Sequence, residues 1–346
     1  MLGALGLVAL IWVGARIMGV PARVRWALLA LAWGVVVLAQ LVLPPEASIR
    51  QATGGDVRPW LVLGGLAVLV LVYRQGLRML RARARPAPVA TDPDSFSQVE
   101  LSRYARQLML REVGGTGQRR LKQASVLVVG AGGLGSPVIL YLAASGVGRI
   151  HVVDDDVVEL SNLQRQIIHA DDRLGMAKVE SAAIGALGIN PHVKLVPHRE
   201  RLDEAGARAL VAEVDLVLDG TDNFDTRYMV NRVCVELGKP LVSAAMTQWE
   251  GQISVYDPAS GGPCYECVFP VRPAAGVVPS CAEAGVIAPL PGVIGSLMAV
   301  EAIKVLTGAG EPLRGRLMMH DALEGLTRSI RVRPRPDCPV CGSRQH

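Results

Sequence analysis

Apolar residues follow two different regimes along this chain. In the first 75 residues they form long runs without charge, at 2–15, 26–43 and 59–73. From about residue 125 they come as short β-branched bursts, each followed by a stretch of helical period. Val126–Val129, Ile150–Val153, 192–196, 214–219, 240–244 and 251–256 read as strands. Residues 100–110, 178–188, 203–212 and 224–237 read as helices. This β-α-β-α rhythm predicts an α/β fold, a doubly wound and mostly parallel Rossmann-like sheet.

The N-terminal runs have another logic. A bilayer span needs about 20 apolar residues. The second run meets that length by itself, and the others meet it if Arg16 and Arg74 reach back to the headgroups. The runs lack the polar face that a soluble amphipathic helix carries. Trp26, Trp60 and Tyr73 sit at run ends, where interfacial aromatics belong. The reading is a membrane anchor over residues 1–85, with spans near 2–20, 26–43 and 59–77. A Pro- and Ser-rich linker over 86–98 joins it to a domain over 99–346. Arginines cluster at 16–25 and 74–85, while Arg50 and Arg58 are offset by Glu46 and Asp56. Positive ends stay cytoplasmic, so three spans place everything after residue 74 in the cytoplasm, beneath a cell inner membrane. Two spans would place both termini on one side. A soluble helical hairpin is the alternative to either.

Composition sharpens this division. Half of the residues are hydrophobic and the mean hydropathy is +0.32. The net charge of +5 splits into +8 over residues 1–90 and −3 over the remainder. The basic pI therefore belongs to the anchor, and the following domain gives no sign of nucleic-acid binding.

Candidate chemistry is densest over 125–178. Gly130, Gly132 and Gly135 make a G-x-G-x-x-G turn between strand and helix. Glycine suits a backbone that must approach phosphate oxygens, and the helix N-terminus behind it offers free N–H groups. Asp154 ends the next strand 24 residues after Gly130, where a ribose-binding carboxylate belongs. Asn162, Arg165, Gln166 and Lys178 follow, and two cations beside the turn suit a triphosphate better than a dinucleotide. Asp222 follows another strand and is placed to hold Mg²⁺ against those phosphates. Helix N-capping by Asp222 or Asn223 is the plainer alternative.

Six cysteines are present. Cys264-x-x-Cys267 and Cys338-x-x-Cys341 are two knuckles, the pattern of a closed, structural four-thiolate Zn²⁺ site, with a redox pair as the alternative. Cys281 lies between them among turn residues. Cys234 sits in an apolar helix and reads as packing.

Residues from about 100 to 343 resemble the adenylyltransferases of molybdopterin-synthase and thiamine biosynthesis, the MoeB/ThiF/HesA family related to ubiquitin-activating enzymes. The matching stretches are R-Y-A-R-Q, G-A-G-G-L-G, D-x-D-x-V-x-x-S-N-L-Q-R-Q, G-M-A-K-V-E-S-A, L-D-G-T-D-N, both knuckles and C-A-E-A-G-V-I-A-P. The resemblance implies a phosphate turn of Gly130, Gly132, Gly133 and Gly135. It implies nucleotide contacts from Asp154, Asp156, Asn162 and Gln166, and catalytic roles for Arg165, Lys178 and Asp222. Arg106 would reach the ATP of the other protomer in a homodimer. Cys281 matches a cysteine that in some members bonds to the activated carrier. The implied reaction uses ATP, Mg²⁺ and Zn²⁺ to adenylate the C-terminal glycine of a ubiquitin-like β-grasp carrier ending in Gly-Gly. A modifier-activating enzyme with a covalent intermediate at Cys281, an NAD-dependent oxidoreductase and an inactive scaffold are the alternatives. The membrane region, and hence a bilayer as partner, departs from the family pattern.

Overall fold

The computed structural model describes residues 12, 18, 21–83, 95–272 and 284–342. The chain divides into two compact units, Met1–Thr91 and Asp92–His346. The first contains α1 (Ala22–Val42), the short α2 (Ser48–Ala52) and α3 (Arg58–Arg83). Helices α1 and α3 meet where Trp33 Nε1 donates to the Trp60 carbonyl at 2.9 Å. Gly64 makes room for the Trp33 ring, since a Cβ there would lie 2.3 Å from it. Polar side chains close the connection. Gln40 donates to the Arg50 carbonyl and to Thr53 Oγ1, Arg50 to the Leu43 carbonyl, and Trp60 Nε1 to the Thr53 carbonyl. Most other apolar side chains of the pair, Leu31, Leu38, Leu69 and Val72 among them, are exposed. Val24–Val42 and Arg58–Leu77 are long and apolar enough to cross a membrane. Apart from Trp12 and Met18, the first apolar run lies outside the described residues, as do Cys281 and the linker up to residue 94.

The second unit opens with α4 (Gln98–Leu108), started by a capping box in which Ser97 and Glu100 bond each other's backbone N–H. Then follow α5 (Gly114–Gln123), β1 (Ser125–Val129), α6 (Gly135–Ser145), β2 (Arg149–Val153), α7 (Lys178–Ile189), β3 (Lys194–His198), α8 (Glu204–Ala212), β4 (Leu216–Asp219), α9 (Phe224–Leu237), β5 (Leu241–Thr247), β6 (Glu250–Tyr256), α10 (Tyr265–Val268), α11 (Pro289–Thr307), β7 (Arg316–Asp321) and β8 (Leu326–Arg331). The strand order is β3-β2-β1-β4-β5-β6-β7-β8. Pairing is parallel from β3 to β5 and antiparallel from β5 to β8. The winding direction reverses between β1 and β4, which opens a crevice at the carboxyl ends of those strands.

Helix α5 and strands β7 and β8 carry weak local signals. The glycines of α5 mask its helical character, and its Gln118 and Leu121 are held by burial instead. Helix α11 has the length and composition of a membrane span, but half of that stretch is buried within the unit. Its Leu290, Ile294, Met298 and Ala302 join the core that also holds Val138, Ile139 and Leu142 of α6. Gly295 permits this close packing. A Cβ there would lie 2.4 Å from Pro137 Cγ and 2.6 Å from the Leu134 carbonyl oxygen. Because one obstacle is backbone, Gly295→Val should lower stability by about 1–3 kcal/mol, read as a lower melting temperature.

Candidate nucleotide and metal sites

The crevice is a cleft of about 450 Å³ lined by the loops that leave β1, β2, β3 and β4. Gly130, Gly132, Gly133, Asp154, Asp156, Asn162, Arg165, Gln166, Lys178 and Asp222 all face it. Gly135 does not. A Cβ at Gly135 would lie 2.0 Å from the Gly130 carbonyl oxygen, so this glycine lets the turn fold against its own helix. Gly130 has φ +92°, open to glycine at little cost. Arg106 is exposed on α4 and is not part of the lining.

The turn after β1 is pinned through one peptide group on each side. Ala131 N–H donates to Asp154 Oδ2 at 2.8 Å. The Ala131 carbonyl accepts from His169 Nε2 at 2.9 Å. Because that carbonyl only accepts, the proton sits on Nε2, and His169 Nδ1 accepts from Ser181 Oγ at 2.9 Å. Asp154 Oδ1 takes a second backbone N–H, from Asp156 at 2.9 Å. Burial pushes the Asp154 carboxyl above the usual carboxylate range, against the opposing pull of Lys178 and these N–H groups.

The cations are held differently. Lys178 opens α7 and is 5% exposed, with Nζ 2.7 Å from Asp156 Oδ2. Its backbone N–H also bonds the Asp156 carbonyl, at 3.0 Å. Arg165 is aimed by the Asn162 side chain at 3.0 Å and the Ser161 carbonyl at 3.2 Å. The loop after β4 carries Asp222, which is exposed to the cleft. Its neighbour Asn223 caps α9, accepting from the N–H groups of Asp225 and Thr226. The cap role therefore falls to Asn223, and the carboxylate of Asp222 makes no hydrogen bond or ion pair with the described residues. An exposed carboxylate facing two cations across a glycine turn suits a divalent cation bound together with phosphates.

The four knuckle cysteines gather at a separate place. All four sulfurs lie within 4.8 Å of one another. Cys264–Cys267, Cys264–Cys338 and Cys267–Cys341 are 3.8, 3.6 and 3.3 Å apart. A tetrahedron with zinc–sulfur bonds of about 2.3 Å has edges of about 3.8 Å, close to the separations of this cluster. Burial pushes the Cys264 thiol up, and that of Cys341 to about 12. Burial also opposes ionisation of Cys338, but backbone N–H groups of Cys341 and Val340 and the thiols of Cys264 and Cys267 hold it low. A bound cation would favour the thiolate throughout.

Several residues that line or support the cleft carry no signal at the sequence level. His169 looks like an ordinary polar loop residue and Ser181 like an ordinary polar residue within α7. Glu200, Arg201 and Leu202 enter the lining only because β3 runs parallel beside β2. Asp219 and Arg227 flank the Asp222 motif in sequence, and the fold buries both.

A doubly wound sheet with a phosphate-shaped turn, a carboxylate at the second strand end and cations at the switch point defines a nucleotide-binding domain. The profile of the ThiF family matches residues 104–340, and the chain belongs to that family. It is 50% identical over 248 residues to the SAMP-activating enzyme E1 of Haloferax volcanii, covering 72% of this chain and 91% of that one. It is 51% identical over 251 residues to the sulfur carrier protein adenylyltransferase of Thermus thermophilus, covering 71% and 93%. Among solved structures, that of Escherichia coli MccB with ATP is similar, with a TM-score of 0.61 and 26% identity over 69% of this chain and 74% of MccB.

Burial holds His169 at about 4, below its ordinary value of 6.5. The unfolded chain therefore takes up a proton near pH 6.5 that the folded chain refuses until about pH 4. Stability from this group is complete above pH 6.5 and is lost as pH falls toward 4. The slope approaches about 1.4 kcal/mol per pH unit, the limit for one proton. Denaturant melts from pH 7 to 4.5 should show it in the wild type, and His169→Gln should flatten the profile by that amount.

Proposed function

We propose that this chain adenylates the C-terminal glycine carboxylate of a small ubiquitin-like β-grasp carrier ending in Gly-Gly, consuming ATP and releasing pyrophosphate. The observation that carries the reading is the meeting, in one cleft, of the glycine turn, Arg165, Lys178 and the exposed Asp222. Relatives named as a carrier-protein adenylyltransferase and an activating enzyme support it.

In this reading Gly132 and Gly133 present backbone N–H groups to the phosphates, Gly130, whose own N–H bonds the Val153 carbonyl at 2.9 Å, turns the chain into the cleft, and Gly135 closes the turn from behind. Asp154 and Asp156 take the ribose side, and Asp156 also aims Lys178. Asn162, Arg165, Gln166 and Lys178 surround the phosphate chain. Asp222 would hold Mg²⁺, which neutralises phosphate charge. The carrier's carboxylate is already ionised at neutral pH, so no general base is required. The obstacle is an anion approaching a polyanion, and fixed cations and N–H dipoles remove it without reorganising during the reaction. Arg106, exposed on α4, is free to complete the site of a second protomer, in a homodimer. Cys264, Cys267, Cys338 and Cys341 would hold Zn²⁺ as a structural tie between the C-terminal tail and α10. A nicotinamide in the same turn would leave Arg165, Lys178 and Asp222 without a task.

The first unit serves as a multi-pass anchor that keeps the catalytic unit at the inner face of a membrane. Its support is the exposed apolar surface of α1 and α3, which water would penalise at about 25 cal/mol per Å² and a bilayer would not.

Loss of one phosphate-facing cation should lower the rate on the order of 10³-fold, by analogy with other phosphoryl-transfer sites. Lys178→Ala and Arg165→Ala should each show this in carrier-dependent ATP–pyrophosphate exchange, and near wild-type exchange in either would reject the assignment. The full chain should stay in the membrane pellet through an alkaline carbonate wash and enter solution only with detergent. Recovery in the carbonate supernatant would dismiss the anchor.

A further inference from the structure

The turn that carries Asp222 is gripped from the direction of the cysteine knuckle. Asp219, at the end of β4, is 0% exposed. Its Oδ1 accepts from Thr221 N–H at 3.0 Å and from Thr221 Oγ1 at 2.7 Å. Its Oδ2 accepts from Ser243 Oγ at 3.0 Å and lies 3.6 Å from Arg227 Nε. Arg227 Nη2 in turn donates to the Thr221 carbonyl. That carbonyl belongs to the peptide joining Thr221 to Asp222. The buried pair therefore fixes Thr221 on both sides, and with it the orientation from which Asp222 leaves the turn.

Besides Asp219 and Ser243 Oγ, 3.4 Å from its Nη1, Arg227 meets the knuckle. Its guanidinium lies 5.8 Å from the ring centroid of Tyr265, the residue that follows Cys264. Tyr265 N–H donates to Asn231 Oδ1 at 2.9 Å, one helical turn beyond Arg227 on α9. Its ring is wedged among Tyr228, Tyr256 and Phe269, at 5.2, 5.5 and 4.8 Å. Asn231 and the three rings thus hold Tyr265 in place, and Tyr265 holds the cation that orients the Thr221 carbonyl.

We propose that Tyr265 and Arg227 are positioning residues that transmit the geometry of the cysteine knuckle to Asp222, and so set the affinity of the cleft for its divalent cation. The inference rests on the adenylyltransferase reading, which supplies the cation's role. Neighbours that orient a metal ligand are typically worth about 10–100-fold in metal affinity. An indirect contact through a peptide should fall at the lower end.

The test uses the full chain in detergent, with zinc content measured by mass spectrometry. Binding of a fluorescent ATP analogue is measured without Mg²⁺ and through a Mg²⁺ titration, which gives the Mg²⁺ midpoint without turnover. Tyr265→Leu should keep its zinc and its Mg²⁺-free nucleotide affinity, while its Mg²⁺ midpoint rises about tenfold. Tyr265→Phe keeps the ring but loses the hydroxyl that hydrogen-bonds Arg227, and should give a smaller rise. Arg227→Lys keeps the charge beside Asp219 but not the reach to Thr221, and should reproduce the rise. It also decides the matter if Tyr265→Leu loses zinc. In an Asp222→Asn background Tyr265→Leu should add nothing. An unchanged midpoint in Arg227→Lys, an equal fall in Mg²⁺-free affinity, or additivity with Asp222→Asn would overturn the proposal. A wild-type chain that binds no nucleotide would instead overturn the adenylyltransferase reading itself.

Discussion

The molecule depends on holding two short turns rigid at the tips of adjacent parallel strands, β1 and β4. Turns at strand ends have no ladder to satisfy their peptide groups, and loose turns could not present N–H groups or a carboxylate at fixed points. Both are fixed in the same way. One residue in each is held at its N–H by a carboxylate from a strand end and at its C=O by a nitrogen donor, so the peptide groups on both sides of it are fixed. For Ala131 the partners are Asp154 and His169. For Thr221 they are Asp219 and Arg227. A neutral histidine serves the first turn and a buried cation the second. That difference follows charge, because Asp219 is fully buried and needs an ionic partner, whereas Asp154 lies beside Lys178.

The antiparallel half of the sheet supports this arrangement from one flank. Strands β5 to β8 extend the sheet beyond the switch point, and α11 closes over it through the Gly295 contact. The knuckle then joins the chain's last described residues to α10 and α9, next to the second turn. Parts of the chain far apart in sequence thereby converge on one loop, from Asp219 to the cysteine at 341. The first unit follows the opposite rule. Its two long helices bury little against one another, and polar side chains are concentrated at their connection, where Gln40, Arg50 and Thr53 close the hairpin.

By itself the sequence determined the alternating elements from β1 to β6, the glycine turn, the two cysteine knuckles and the apolar N-terminal runs. Each is written in local pattern: period-2 or continuous apolar stretches, glycine spacing, C-x-x-C spacing, length without charge. Strand β8, exposed throughout, and α5, rich in glycine, have no such pattern and exist because neighbours hold them. Only the tertiary structure decided that Asn223 and not Asp222 caps α9, that Gly135 packs behind the turn and not against the cleft, and that Lys178 is aimed by Asp156. It also gave His169, Asp219, Arg227 and Tyr265 their tasks. Those tasks come from burial and from hydrogen-bond partners tens of residues away. A buried polar group has no periodicity of its own, so its meaning appears only when the fold brings its partner within about 3 Å.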